Sequence, residues 1–129
     1  MTNSEVARVR TLLAKAKVQT ETQIVRAILD YLAANRILAW RSNVGAARNP
    51  AGRLVRFGVK GMPDIAGVLP GGHALFLEVK RRHGRMSPEQ DRMQTRLMEA
   101  GALVSVVHGI AEVRAILKAY GLEALESTP

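Results

Sequence analysis

The stretch Gly61-Met62-Pro63-Asp64-Ile65-Ala66-Gly67-Val68-Leu69-Pro70-Gly71-Gly72-His73-Ala74-Leu75-Phe76-Leu77-Glu78-Val79-Lys80 decides the reading of this chain. It has the pattern of a β-hairpin. Ile65 to Leu69 is a short apolar run, and Ala74 to Val79 is a second. Between them, Pro70-Gly71-Gly72-His73 is turn chemistry: proline fixes φ and glycine accepts φ > 0. Apolar runs of this length bounded by turn residues suit buried strands. In a strand, residues two apart share a face, so Glu78 and Lys80 point one way while Leu77 and Val79 point the other. Asp64, at the start of the partner strand, is placed to reach the Glu78 face. Carboxylates are rarely buried unless paired or bound to a cation.

Two carboxylates and a lysine in this pattern suit metal-dependent hydrolysis of a phosphodiester. Hard cations such as Mg²⁺ take oxygen ligands, and one or two carboxylates with substrate phosphate oxygens suffice. A lysine beside them can orient or deprotonate water, or stabilise a charged transition state. The same spacing also fits an exposed Glu78–Lys80 ion pair with Asp64 capping a turn.

The wider sequence separates these readings. Gly61-Met62-Pro63-Asp64, then Glu78-Val79-Lys80, then Gly84-Arg85-Met86-Ser87-Pro88-Glu89-Gln90 resembles the VRR-NUC nuclease domains. These belong to the PD-(D/E)xK, or restriction-endonuclease-like, superfamily. Glu21-Thr22-Gln23 and Arg41-Ser42-Asn43-Val44-Gly45 resemble that family too, so the likeness runs from about Thr20 to Leu117. It implies an α/β fold, a mixed β-sheet flanked by helices. It implies a Mg²⁺- or Mn²⁺-dependent endodeoxyribonuclease that leaves a 5′-phosphate and a 3′-hydroxyl. Asp64 and Glu78 would hold the metal, with the Val79 carbonyl as a possible extra ligand and Glu21 as a third carboxylate. Lys80 would act on water or the transition state, and Gln90 would complete the site. Standalone members of the family look like Holliday-junction resolvases, which implies branched DNA as substrate and a homodimer with two symmetric sites. Two alternatives stand beside this: a non-catalytic DNA-binding or assembly module with a nuclease-like fold, and a sequence-specific restriction nuclease.

Composition agrees with a single domain. The chain has 129 residues, enough for one core. Its hydrophobic content of 47% argues against disorder. There is no cysteine, which excludes disulfides and thiolate metal sites and suits an intracellular, cytoplasmic protein, whether of a nucleoid, a phage or a mobile element. No signal peptide or membrane-spanning apolar run is expected. The net charge of +8 favours an acidic partner, most simply nucleic acid.

Residues 1–19 read as an amphipathic N-terminal helix from Ser4 to Val18. Val6, Val9, Leu13 and Ala16 form one stripe, and Arg8, Arg10, Lys15 and Lys17 cover much of the rest. The stripe would pack on the protein's own core, or serve as a dimer contact or basic arm. Residues 20–120 form the nuclease domain and 121–129 a short tail. Thr20 and Gln23 have the form of a capping box opening a second helix to about Asn35, with Ile24, Val25, Ile28, Leu29 and Leu32 inward. Glu21 sits at the edge of that buried face, where it also complements the helix dipole.

Ile37 to Asn43 and Arg53 to Val59 read as two strands of one hairpin. No acid occurs between Trp40 and Asp64, while Arg41, Arg48, Arg53, Arg56 and Lys60 do. Such a stretch can neutralise phosphates. Arg41 and Asn43 alternate onto one face and are candidates for the cleft. Trp40 and Phe57 are expected in the core. Arg81, Arg82 and Arg85, with His83, form a basic cluster at the cleft mouth. Ser87-Pro88-Glu89-Gln90 opens another helix, with Ser87 as N-cap and Gln90 as its capping-box partner. Met93, Leu97 and Ala100 are its expected buried stripe, with Met86, Met93 and Met98 as core filler. His83 and His108 read as bystanders. Leu103 to Val107 is a strand, and Ile110, Val113, Ile116 and Leu117 mark a last helix that Gly121 stops.

Overall fold

Thr20 and Gln23 do cap a helix, and the rest of the core is built on it. In the computed structural model, which describes residues 2–17, 19–42 and 45–122, α1 spans Asn3–Lys17 and α2 spans Glu21–Ala34. The Thr20 hydroxyl accepts from the Gln23 N–H at 3.1 Å, and the Gln23 side chain accepts from the Thr20 N–H at 2.9 Å. Two of the otherwise unpaired amides of the first turn are thus satisfied. The 3-4 spacing of Ile24, Val25, Ile28 and Leu32 then buries one face of α2 completely.

That face lies on a four-stranded sheet. Strands β1 (Leu38–Arg41), β4 (Ile65–Leu69), β5 (His73–Val79) and β6 (Leu103–Val107) stand in that spatial order. β1 and β5 both run antiparallel to β4, while β6 is parallel to β5. A parallel neighbour needs a crossover, and α3 (Pro88–Glu99) supplies it. α4 (Ile110–Tyr120) follows β6, and Gly121 ends it in the left-handed region at φ 99°. The expected mixed sheet flanked by helices is the observed α/β fold.

Strand alternation divides the sheet into two unlike faces. Ile65 and Leu69 of β4, Leu75, Leu77 and Val79 of β5, and Val107 of β6 join α2, Val113 and Leu117 of α4 in the core. Each such side chain contributes roughly 1.5–3 kcal/mol when buried. Leu75, Leu77 and Val79 together therefore anchor β5 while Glu78 is held on its opposite face. The other face carries Phe76, Glu78 and Val68, and α3 packs on it beside β6. α3 covers only part of that face, and none of its side chains is fully buried.

This partial cover corrects several expectations. Trp40 is 49% exposed, not core, because α3 packs beside β6 and, among the described residues, no helix covers its face of β1. Met98 is 55% exposed, and Ala100 is exposed as well, so the inward stripe of α3 is reduced to half-buried Met93 and Leu97. The first hairpin also differs. β1 pairs with β4, and the hairpin is made instead by β2 (Gly45–Arg48) and β3 (Leu54–Phe57) as a separate two-stranded sheet. The Asn49–Arg53 turn closes it, with Arg53 N–H donating to the Asn49 side chain at 2.9 Å. Asn43 and the side chain of Phe57 lie outside the described residues. In α1, Val6 is half-buried and Val9 is 44% exposed, and no described side chain of this helix joins the core.

Gly67 shows how tightly β1 sits on β4. A Cβ there would stand 2.7 Å from the Leu38 carbonyl oxygen and 3.0 Å from the Ala39 Cβ. Gly67→Ala is expected to push the edge strand away and cost about 1–3 kcal/mol, read as a lower urea midpoint. An unchanged midpoint would mean that β1 yields freely.

Candidate active site

Asp64 and Glu78 meet because of strand register. Ile65 pairs with Leu77, so the next positions outward, Asp64 and Glu78, stand opposite each other at the open end of the hairpin. Ser42 N–H donates to the Asp64 carbonyl at 2.8 Å and extends the β1–β4 ladder to this point. The Asp64 Oδ2 accepts from the Val79 N–H at 2.7 Å. A short, charge-assisted bond of this kind fixes the carboxylate over the end of β5.

Glu78, on the face of the sheet away from the core, is the one buried charged side chain among the described residues, at 3% exposure. Its Oε1 accepts from Gln90 Nε2 at 3.1 Å and pairs with Lys80 Nζ at 3.4 Å. Lys80 is itself largely enclosed, with 12% of its side chain exposed. Burial is the main force on Glu78 and pushes its carboxyl group up to about 8; the Asp64 charge and hydrogen bond push the same way, while Lys80 pulls back. The Asp64 and Glu78 carboxyl groups also meet each other side chain to side chain. Two converging carboxylates, one of them ionised at a cost, make a set that a proton or a hard cation would relieve. The residues present therefore fit a divalent ion of the magnesium type, with Asp64 and Glu78 as the holding pair.

Gln90 does two jobs. Its Oε1 accepts from the Ser87 N–H at 2.9 Å, while its backbone N–H donates to the Ser87 hydroxyl at 3.1 Å. The same amide's other end reaches Glu78. The cap of α3 is thus built into the site, and the side chain is held from both sides. Gly61 brings this helix start against the Asp64 loop. It has φ 84°, and a Cβ there would stand 2.5 Å from the Glu89 carbonyl oxygen. Lys60 pairs with Glu89 at 3.4 Å across the same contact, although both are substantially exposed. Pro63, next to Asp64, is buried. The Gly61-Met62-Pro63 run thus positions Asp64 by close approach rather than by chemistry.

His108, read from sequence as a bystander, is a support of the site. Its Nδ1 lies 2.8 Å from the Lys80 carbonyl. A carbonyl only accepts, so Nδ1 carries the proton. The His108 N–H donates to Glu112 Oε1 at 2.9 Å, and the Lys80 N–H donates to the Val107 carbonyl at 3.0 Å. The backbone of Lys80 is therefore clamped on both sides to the end of β6. No motif spacing carries this contact, which arises only from the parallel pairing of β5 and β6.

The remaining candidates are more dispersed. Glu21 is exposed at the first position of α2. Gln19 and Ile24 from that end line a cleft of about 480 Å³ with Arg81, Arg82, His108, Gly109 and Glu112, so the start of α2 lies at the same end of the sheet as Lys80. Among the described residues, no group of three His, Asp or Glu side chains is close enough to hold one metal ion, so Glu21 does not form a third ligand with Asp64 and Glu78 in this arrangement. Arg41 pairs across from Ile65 and so faces the α2 side, where it borders a hollow with Thr22, Arg26 and Asp30 rather than the carboxylates. Arg48, Arg53 and Arg56 are exposed on the β2–β3 hairpin, and Arg48 donates to the Gly52 carbonyl at 2.9 Å. Arg81, Arg82 and Arg85 are exposed just beyond Lys80.

A family model of the VRR-NUC domain matches residues 9–111. The chain belongs to the VRR-NUC domain family. A solved structure described as a VRR_NUC domain is similar to it at 25% identity with a TM-score of 0.59, covering 80% of this chain and 99% of that one. No curated protein matches. Membership carries a nuclease-type, DNA-processing function, with DNA as substrate. Among the described residues no helix is long and apolar enough to cross a membrane.

The raised carboxyl group of Glu78 has a measurable consequence. Its folded value of about 8 stands above the ordinary 4.5, so between these pH values the folded state holds the extra proton. Its contribution is fully present below about 4.5 and is lost as pH rises to about 8. In EDTA, wild type is expected to lose stability across this window relative to Glu78→Gln, whose neutral amide has no such proton. Parallel pH profiles of the urea midpoint would show that Glu78 ionises freely.

Proposed function

We propose that this VRR-NUC domain is a Mg²⁺- or Mn²⁺-dependent endodeoxyribonuclease, selective for branched DNA and acting as a homodimer. The observation that carries the catalytic part is Glu78, buried against Asp64 and tied to both Lys80 and Gln90. A purely structural carboxylate in that position is a poor solution, since burial and a like charge both act against it. A site that takes a cation makes use of both.

In this reading Asp64 and Glu78 hold the ion, with the Val79 carbonyl as a further ligand. When bound, the ion supplies Lewis-acid polarisation of the phosphate and a more acidic water. Lys80, paired with Glu78 at 3.4 Å, would orient that water or stabilise charge on the phosphate. Gln90 keeps Glu78 in one rotamer. Glu21, at the same end of the sheet, completes the site once DNA is seated. Arg48, Arg53 and Arg56 on the hairpin, with Arg81, Arg82 and Arg85 beyond Lys80, supply phosphate contacts, which position DNA without reading its sequence. Lys60 and Arg41 contribute positive charge at longer range.

Branched DNA is favoured by size. One small domain has little surface with which to read base sequence, whereas shape and charge at a junction demand less. A two-fold dimer would place two sites on symmetric strands.

Purified protein, incubated with a labelled four-way junction and with matched linear duplex in Mg²⁺, Mn²⁺ or EDTA, is expected to cut the junction in metal only. Lys80→Ala is expected to lose at least about a hundredfold in rate, the scale of a removed charge-stabilising group. Light scattering at the same concentration should give twice the monomer mass. Cutting of linear duplex at fixed sites, or metal-independent binding without cutting, would overturn the substrate or the catalytic part respectively.

A further inference from the structure

The exposure of Trp40 has a chemical use that its place in the sheet suggests. Trp40 pairs with Ala66, two positions along β4 from Asp64, while Ser42 bonds to Asp64 itself. Trp40 is therefore the diagonal neighbour of Asp64 on the β1–β4 ladder. Such neighbours are separated by about 7–8 Å, within reach of an aromatic side chain. Leu38 lies two residues before Trp40 on the same face, opposite Val68. The three remain 68%, 49% and 39% exposed for Leu38, Trp40 and Val68, on the face of the sheet that carries Glu78. An exposed apolar patch beside a charged site calls for an occupant.

We infer that Trp40 is a stacking platform for an unpaired base of the DNA strand whose phosphate lies at Asp64 and Glu78. The inference rests on the nuclease reading above and adds the feature of DNA that the site selects. Charge favours this occupant. The chain from Arg41 to Lys60 contains no acid and follows directly from Trp40; Arg41 turns to the α2 side, but Arg48, Arg53 and Arg56 are exposed, so the segment next to the indole carries positive charge that draws a polyanion. Three partly exposed side chains are far short of the roughly 800 Å² per partner that a stable protein interface takes. They do match one base, whose flat face stacks on an aromatic ring whatever its identity. In intact duplex that face is already stacked on its neighbours. At a branch point with unpaired bases, or at a single-stranded end, it is free. Trp40 thereby favours branched or single-stranded DNA over continuous duplex, while leaving sequence unread.

Trp40 is the chain's single tryptophan, so its fluorescence reports on this position alone. The full chain is titrated in EDTA, which stops metal-dependent cutting, with a junction carrying unpaired bases, with single-stranded oligonucleotide and with continuous duplex. The expected result is strong quenching by the first two and little by the third. In anisotropy titrations with labelled DNA, Trp40→Ala is expected to bind unpaired DNA about 5- to 150-fold more weakly, with duplex binding unchanged. Trp40→Phe should recover most of the loss. Binding without quenching, or an equal loss on all three DNAs, overturns the inference. A concentration-dependent blue shift without DNA, marking burial by a second copy, also overturns it. Cutting of the junction with no quenching defeats the stacking role alone; quenching with no cutting in Mg²⁺ or Mn²⁺ defeats the catalytic reading and leaves the platform standing.

Discussion

A carboxylate held at the end of an apolar strand is the constraint on which the rest of this structure depends. Glu78 is enclosed because Leu75, Leu77 and Val79 anchor β5 in the core on the opposite face. Its neighbours are arranged around that cost. Asp64 faces it through register, Lys80 offsets its charge from two residues along, and Gln90 reaches it from the first turn of α3. Only the Lys80 contact follows from local strand alternation; the other two depend on the pairing of β4 with β5 and on the return of α3 over the sheet.

Helix caps serve as mechanical parts of the site. The Ser87–Gln90 box would exist in any helix opened by this sequence, yet here its glutamine also bonds Glu78. Gly61 lets the Asp64 loop rest on the backbone of the same turn. On the far side, His108 clamps Lys80 to β6 and Glu112 holds His108. β5 is thus gripped from α3 on one side and from the β6–α4 corner on the other. Such support is what holds reacting groups within the tight tolerances that chemistry requires.

Much of this was legible in the residues. Proline and glycine at 70–72 marked the turn, short apolar runs marked β4 and β5, and both capping boxes stood at the predicted places. The resemblance of Gly61–Asp64 and Glu78–Lys80 to the VRR-NUC domains led to the family that the comparisons then showed. What escaped was whatever depends on non-local cover. Trp40 looks like core by composition, and only the placement of α3 over β6 leaves it open. β2 was hidden because Gly45–Arg48 has little strand propensity and is held by its partner β3. Arg41 was expected near the carboxylates, but alternation from exposed Trp40 turns it to the α2 side. His108 carried no motif because its bond is to a backbone carbonyl.

The most direct test of the account is calorimetric titration of Mn²⁺ into the protein at neutral pH, in buffers of different ionisation enthalpy, beside Asp64→Asn and Glu78→Gln. The account predicts binding that releases a proton in wild type, because the cation displaces the proton held by Glu78, and loss of that binding in both variants. Binding of equal strength in all three proteins, or none in wild type even with DNA present, would contradict it.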